Sequence, residues 1–160
     1  MISAADIPSK ISVPDLQALI DRDLPLCGLF GITTVSLGDG VAVLRMDAGP
    51  VALRPGGTVS GPAMMALADV AMYGAVLSRI GLVPLAVTTD LTTHFLRKPE
   101  PGPLWARARI LKGGKRLTVL AVDVLSKDAG SEADQPGQSD QALVAHMSGT
   151  YSTPPVAASP

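Results

Sequence analysis

The chain has 160 residues, 47% of them apolar, with thirteen Lys and Arg against fourteen Asp and Glu and a formal net charge of -1. That length carries one domain with a substantial core, and the near-neutral balance gives no basic field to draw the chain to nucleic acid or to an anionic membrane. Two His and a single Cys, Cys27, promise neither a metal cluster nor a disulfide. The opening "MISAADIPSK" has no basic stretch leading into an apolar one, so the expected location is the cytoplasm.

From the N-terminus, "VPDLQALIDRD" has Pro14 in its first turn and Leu16, Leu19 and Ile20 at helical spacing. It predicts a short amphipathic helix within an N-terminal segment, residues 1–24. After Pro25 and Gly28, "LFGITTVSLGDGVAVLRMDA" holds two β-rich runs joined at "GDG", where Asp-Gly marks a hairpin. "GPVALRPGG" is a loop by its Gly and Pro content and leads to Ser60. "GPAMMALADVAMYGAVL", residues 61–77, predicts a helix that is apolar nearly all round. Its small residues Ala63, Ala66, Ala71, Gly74 and Ala75 would admit a closely packed sheet. Four strands follow in "LAVTTDLTTHFLRK", "GPLWARARILKGGK", "RLTVLAVDVLSKDAG" and "QALVAHMSGTYS", the last two parted by the polar "DAGSEADQPGQSD". "TPPVAASP", residues 153–160, reads as a disordered tail.

Two strands, one long helix and four more strands fit an α+β fold in which a curved antiparallel sheet wraps a central helix. The sole charge in residues 61–77 is Asp69. Burying a carboxylate costs several kcal/mol unless it is paired or hydrogen-bonded. Two readings stand beside each other: Asp69 accepts structural hydrogen bonds from a neighbouring strand, or it is a general base or nucleophile in a poorly solvated cleft. It lies about two turns inside the helix and is out of reach of the orphan amides at the helix start. At that start, "SGP" offers Ser60 as N-cap and Pro62 as first-turn residue, with the Gly61 N–H as a donor able to meet a developing oxyanion.

The order of elements, "SGPAMMALAD" and "TTDLTTHFLRKP" together resemble the hotdog-fold acyl-CoA thioesterases of the phenylacetate-degradation (PaaI-like) type, over roughly residues 25–152. The resemblance implies a hotdog domain over 25–152 that hydrolyses an acyl-CoA to a free acid and coenzyme A, with Asp69 as general base or nucleophile. As in the family, Asp69 stands eight residues after a Gly at the helix mouth, here Gly61. Thr88, two residues before Asp90, matches a position that orients the attacking water. No metal or redox cofactor is implied, since coenzyme A is part of the substrate. Expected substrate contacts are Ser60, Arg54, Met65, Tyr73, Arg97 and Lys98.

The chain departs from the pattern at two places. Ser60 replaces the family's His and Arg54 its Asn; a hydroxyl can hydrogen-bond a carbonyl but cannot carry a positive charge, and Arg54 is suited to a carboxylate or phosphate. Basic residues in "LRKP" and "KGGKR" stand at strand ends, suited to coenzyme A phosphates or to solubility alone. His94 shares a face with Thr88, Asp90 and Thr92 by period two and reads as structural or interfacial. Hotdog dehydratases place a His before the helix, where this chain has Ser60. A second function class, a non-catalytic protein that holds an acyl group or acyl-CoA, follows from the same two replacements. The resemblance also implies a homodimer or homotetramer joined through edge strands, with Asp69 of one copy facing strand residues of another.

Overall fold

The computed structural model describes residues 8–126 and 143–155. The polar segment 128–140 and the end of the expected tail, 156–160, lie outside them, as do residues 1–7.

Helix α1, Val13–Asp23, opens on a capping box in which Ser12 Oγ accepts from the Asp15 amide at 3.2 Å and Asp15 Oδ2 accepts from the Ser12 amide at 2.8 Å. It buries Leu16, Leu19 and Ile20, the three residues whose spacing predicted it. The next residues differ from expectation. Leu29 and Phe30 read as the start of a strand, whereas Pro25–Phe30 forms a short helix, α2. Pro25 sits in its first turn, and Gly31 closes it in the left-handed region at φ 63°. The Pro and Gly that look like loop punctuation are here the two ends of a helix.

The strands are β1 Ile32–Gly38, β2 Val41–Met46, β3 Val87–Phe95, β4 Leu104–Gly113, β5 Leu117–Leu125 and β6 Leu143–Ser152. They form one antiparallel sheet in the order β1-β2-β4-β5-β6-β3. The Asp39–Gly40 hairpin turn stands where the sequence puts it, with Gly40 at φ 73° and its amide donating to Ser78 Oγ at 2.9 Å. After the long helix the chain places β3 at the far edge, against β6. Register shifts in four strand pairs add bends that curve the sheet.

Helix α3, Gly61–Ile80, lies in the concave face and buries thirteen of its twenty residues. It is long and apolar enough to cross a membrane by length and composition, yet 72% of its most apolar window is buried inside the fold. This is the hotdog arrangement. Small side chains let the layers approach from both sides: Ala42, Ala106, Ala108 and Ala145 are fully buried on the strands, and Ala71 and Ala75 on the helix. A β-carbon on Gly149 of β6 would stand 2.9 Å from both the Asp90 carbonyl oxygen and Met72 Sδ. One on Gly74 would stand 2.8 Å from Leu16 Cδ2 and 3.3 Å from Ala42 Cβ.

Strand β3 departs from simple alternation. Its pairing with β6 slips between Thr88 and Asp90, a bulge. Thr88, Leu91 and Thr93 are half-buried, whereas Asp90, Thr92 and His94 are exposed. The expected shared face of Thr88 with His94 is therefore corrected: the extra residue puts Thr88 in phase with the helix-facing set.

The two glycine contacts predict different costs. Gly149→Ala should lower the free energy of unfolding by about 1–3 kcal/mol, because a backbone carbonyl cannot step aside. Gly74→Ala should cost less, since the helix regains about 1 kcal/mol of propensity and the Leu16 tip can swing. Urea titration of both variants measures the difference; a Gly149→Ala protein as stable as the parent would contradict the close packing of α3 on β6.

Candidate functional site

Asp69 faces β3 and β6 from the middle of α3. Its Oδ1 accepts from Thr88 Oγ1 at 2.7 Å and from Tyr151 Oη at 2.9 Å, and the Tyr151 hydroxyl also lies 3.0 Å from the Asp69 carbonyl oxygen. Oδ2 has no hydrogen-bond partner among the described residues. The carboxylate is half-buried rather than enclosed. Two donors on one oxygen fix the side chain and leave the other oxygen available to a reactant.

Both cavities that meet Asp69 also meet Thr88. One is a pocket of about 420 Å³ running under α1 and α2, with Leu19, Leu24, Cys27, Tyr73 and Ala86 among its walls. The other is an open groove of about 520 Å³ along the start of α3, lined by Pro62, Met65, Ala66 and Leu91. Asp69 stands at the boundary of the two.

Tyr151 is the residue that sequence reasoning missed. It sits on the last strand, 82 positions from Asp69, and a Tyr in a β-rich run carries no sign of its partner. Burial, and next the Asp69 carboxylate, push its hydroxyl far above the ordinary tyrosine range, so it remains a donor. Its ring lies 6.3 Å from that of Tyr73, whose own hydroxyl donates to the Pro84 carbonyl at 3.0 Å.

At the mouth of α3, Ser60 Oγ accepts from the Ala63 amide at 3.4 Å and the Met64 amide goes to the Ser60 carbonyl. Pro62 has no N–H, so Gly61 holds the first-turn amide that lacks an acceptor among the described residues. Phe95 packs over it: a β-carbon on Gly61 would meet Phe95 Cζ at 2.9 Å.

The remaining expected contacts lie apart from Asp69. Arg54 turns back on its own loop, Nε donating to Thr58 Oγ1 at 3.0 Å. Arg97 donates to the Leu143 carbonyl at 2.8 Å and, with Lys98, lines a pocket of about 320 Å³ that shares no lining residue with the two cavities at Asp69. His94 pairs in register with His146, whose Nδ1 lies 2.7 Å from Asp123 Oδ1. Among the described residues, no three His, Cys, Asp or Glu side chains converge where a metal ion could bind.

The sequence model of the thioesterase superfamily matches residues 56–133, from the loop before α3 into the segment after β5. A Silicibacter protein assigned as a thioesterase superposes with a TM-score of 0.75 at 37% identity, over 93% of this chain and 96% of its own. The chain belongs to the thioesterase superfamily. The phenylacetic acid degradation protein PaaI of Thermus thermophilus is similar at 26% identity, over 81% of this chain and 99% of its own, with a TM-score of 0.66. PaaI of the Escherichia coli phenylacetic acid degradation operon shares the fold at 24% identity, over 89% and 93% of the two chains, with a TM-score of 0.72. No curated protein matches. As a PaaI-like thioesterase the chain is a thioester hydrolase, and a carboxylate with one open oxygen between two cavities is a feature such chemistry can use.

Cys27, on the wall of the pocket under α1 and α2, is a thiol rather than a thiolate: burial first, then the carboxylates of Asp21 and Asp69, push it up to about 11. The folded protein should show almost no reaction with a chromogenic disulfide reagent at pH 8, and reactivity should rise as pH approaches 11. In denaturant at pH 8 the full thiol titre should appear. Rapid labelling of the folded protein at pH 8 would contradict both the burial and the direction of the shift.

Proposed function

We propose that the protein hydrolyses acyl-CoA thioesters, with Asp69 as general base, water as acyl acceptor and no resident cofactor. The observation that carries this reading is the Asp69 carboxylate, held at Oδ1 by Thr88 and Tyr151 and open at Oδ2 beside both cavities. A water that donates one hydrogen to Oδ2 and the other to Thr88 Oγ1 has its lone pairs free for the thioester carbon. As it attacks, one proton passes to Asp69 and the carbonyl oxygen becomes an oxyanion. Collapse breaks the C–S bond, and the departing thiolate takes the proton back from Asp69, leaving the acid and coenzyme A.

The oxyanion needs a donor, and the Gly61 amide at the positive end of α3 is suited to it. Eight residues of helix separate Gly61 from Asp69 by about 12 Å along the axis, whereas the carbon under attack and its oxygen are about 1.2 Å apart. Base and donor on one thioester therefore belong to two copies of the chain. Among the described residues, edge strand β3 pairs only with β6 and exposes Val87 and Phe95, an edge suited to a second copy. A dimer, or a tetramer of two dimers, follows, and a cytoplasmic location fits the unreacted thiol of Cys27.

Thiol release from a panel of acyl-CoAs tests the reaction, and light scattering tests the assembly; a monomer at micromolar concentration would remove the shared site. Asp69→Asn keeps an oxygen that can accept from both Thr88 and Tyr151, so its stability should hold, while kcat should fall at least 10²-fold. Tyr151→Phe should lower kcat roughly 10-fold with KM little changed, because it loosens the base rather than removing it. Gly61→Val should depress turnover far more than stability. An Asp69→Asn protein at the parent rate would overturn the proposed base, and acyl-CoA binding without thiol release would favour an acyl-CoA-binding protein.

A further inference from the structure

The chain has two histidines, far apart in sequence, and the sheet sets them opposite each other. His94 on β3 and His146 on β6 are register partners in the antiparallel pair at the sheet's edge. Such partners share a face, with β-carbons about 4.5–5.5 Å apart. Here that face is the convex one. Ala145 and Met147, on either side of His146, are fully buried in the core, so the residue between them points away from α3. Phe95, next to His94, packs over Gly61 on the helix side, and His94 itself is exposed.

A third residue lies in the same row. Asp123 on β5 is the register partner of His146 on its other side, between the buried Val122 and Val124. Its Oδ1 stands 2.7 Å from His146 Nδ1, and the two side chains are 40% and 42% exposed. An ionised carboxylate only accepts, so Nδ1 carries the hydrogen and Nε2 of the neutral ring keeps its lone pair. This is how a carboxylate fixes the tautomer and the aim of a metal-ligating histidine. His94 has no hydrogen bond or ion pair among the described residues, and its ring can turn to meet what lies opposite. Arg107, which faces Asp123 from β4, forms no ion pair with it among the described residues, so the carboxylate serves the histidine row.

We propose that His94 and His146 chelate one transition-metal cation of the Zn²⁺, Ni²⁺ or Cu²⁺ class on the convex face, each through Nε2, with Asp123 as the positioning residue for His146. Two imidazole nitrogens on one tetrahedral ion, each at 2.0–2.1 Å, stand about 3.3 Å apart, a separation that two side chains facing each other across neighbouring strands can span. Imidazole suits these ions, whereas Mg²⁺ and Ca²⁺ prefer oxygen. With two protein ligands the ion keeps its other positions for water and remains exchangeable. The chelate has a mechanical consequence as well. It ties β3 to β6, the strands that carry Thr88 and Tyr151, so an ion bound outside the sheet braces the pair that holds Asp69 inside it.

The test titrates metal-free protein with Zn²⁺, Ni²⁺, Cu²⁺ and Mg²⁺ in a buffer that binds no metal, read by calorimetry and by thermal melting. One ion per chain should bind, Cu²⁺ most tightly and Mg²⁺ not at all. A roughly hundredfold excess of Zn²⁺ over its Kd should raise Tm by about 5 °C or more. His94→Gln and His146→Gln should each weaken Zn²⁺ at least 10-fold and remove the rise in Tm, and Asp123→Asn should weaken it about 10- to 100-fold. Thiol release by the metal-free histidine variants should match the parent, since both rings lie on the face away from Asp69. No binding of Zn²⁺ or Cu²⁺ at millimolar concentration, or unchanged binding in the His94→Gln/His146→Gln double variant, would overturn the site. One ion per two chains would overturn a chelate within one chain, and thiol release lost in the metal-free variants would overturn its separation from the reaction.

Discussion

The close approach of α3 to the concave sheet is the constraint from which the rest of the fold follows. A helix this apolar has to be covered, and one sheet covers it only if side chains on both layers are small where they cross. Gly74 of the helix stands against Ala42 and Gly149 of β6 against Met72 under that condition, and Ala71, Ala75, Ala106 and Ala108 are fully buried between the layers. The same approach brings the middle of α3 within hydrogen-bond reach of β3 and β6, where Thr88 and Tyr151 meet Asp69. Packing density and site geometry thus have one cause.

That half of the arrangement was legible in the sequence. The run 61–77 announces a buried helix by its lack of a polar stripe, and its small residues announce a close neighbour. The hairpin at Asp39–Gly40 and the β-rich runs are equally plain, because Asp-Gly and branched side chains carry their preferences locally. Strand order is different in kind. That β3 crosses to pair with β6 depends on which edges remain free once the sheet has formed, and no residue in "TTDLTTHF" encodes its partner. Helix α2 was missed for a related reason: Pro25 and Gly31 act in loops and at helix ends alike, and six residues are too few to show a period.

The site divides along the same line. Asp69 was visible because a lone acid in an apolar helix needs an explanation, and Thr88 and Gly61 because the family resemblance points to their positions. Tyr151 could not be found this way. It becomes a partner of Asp69 only through the pairing of β3 with β6, and its hydroxyl has no local signature that sets it apart from an ordinary strand tyrosine. Arg54 shows the converse. A guanidinium in a Gly- and Pro-rich loop suggests a ligand contact, yet its Nε is satisfied four residues away by Thr58.

The bulge in β3 has a consequence for how the Asp69–Thr88 pair would be found in other chains. The slip between Thr88 and Asp90 accommodates one surplus residue without changing which side chains beyond it face the helix, for removing Thr89 would simply restore regular alternation. The nineteen positions from Asp69 to Thr88 are therefore not a fixed ruler. A strand that can gain or lose a residue beside the hydroxyl, and a connecting turn that can take up the slack, let the same contact recur at different sequence distances. An alignment that opens a gap at this point would be marking a conserved geometry rather than a lost one.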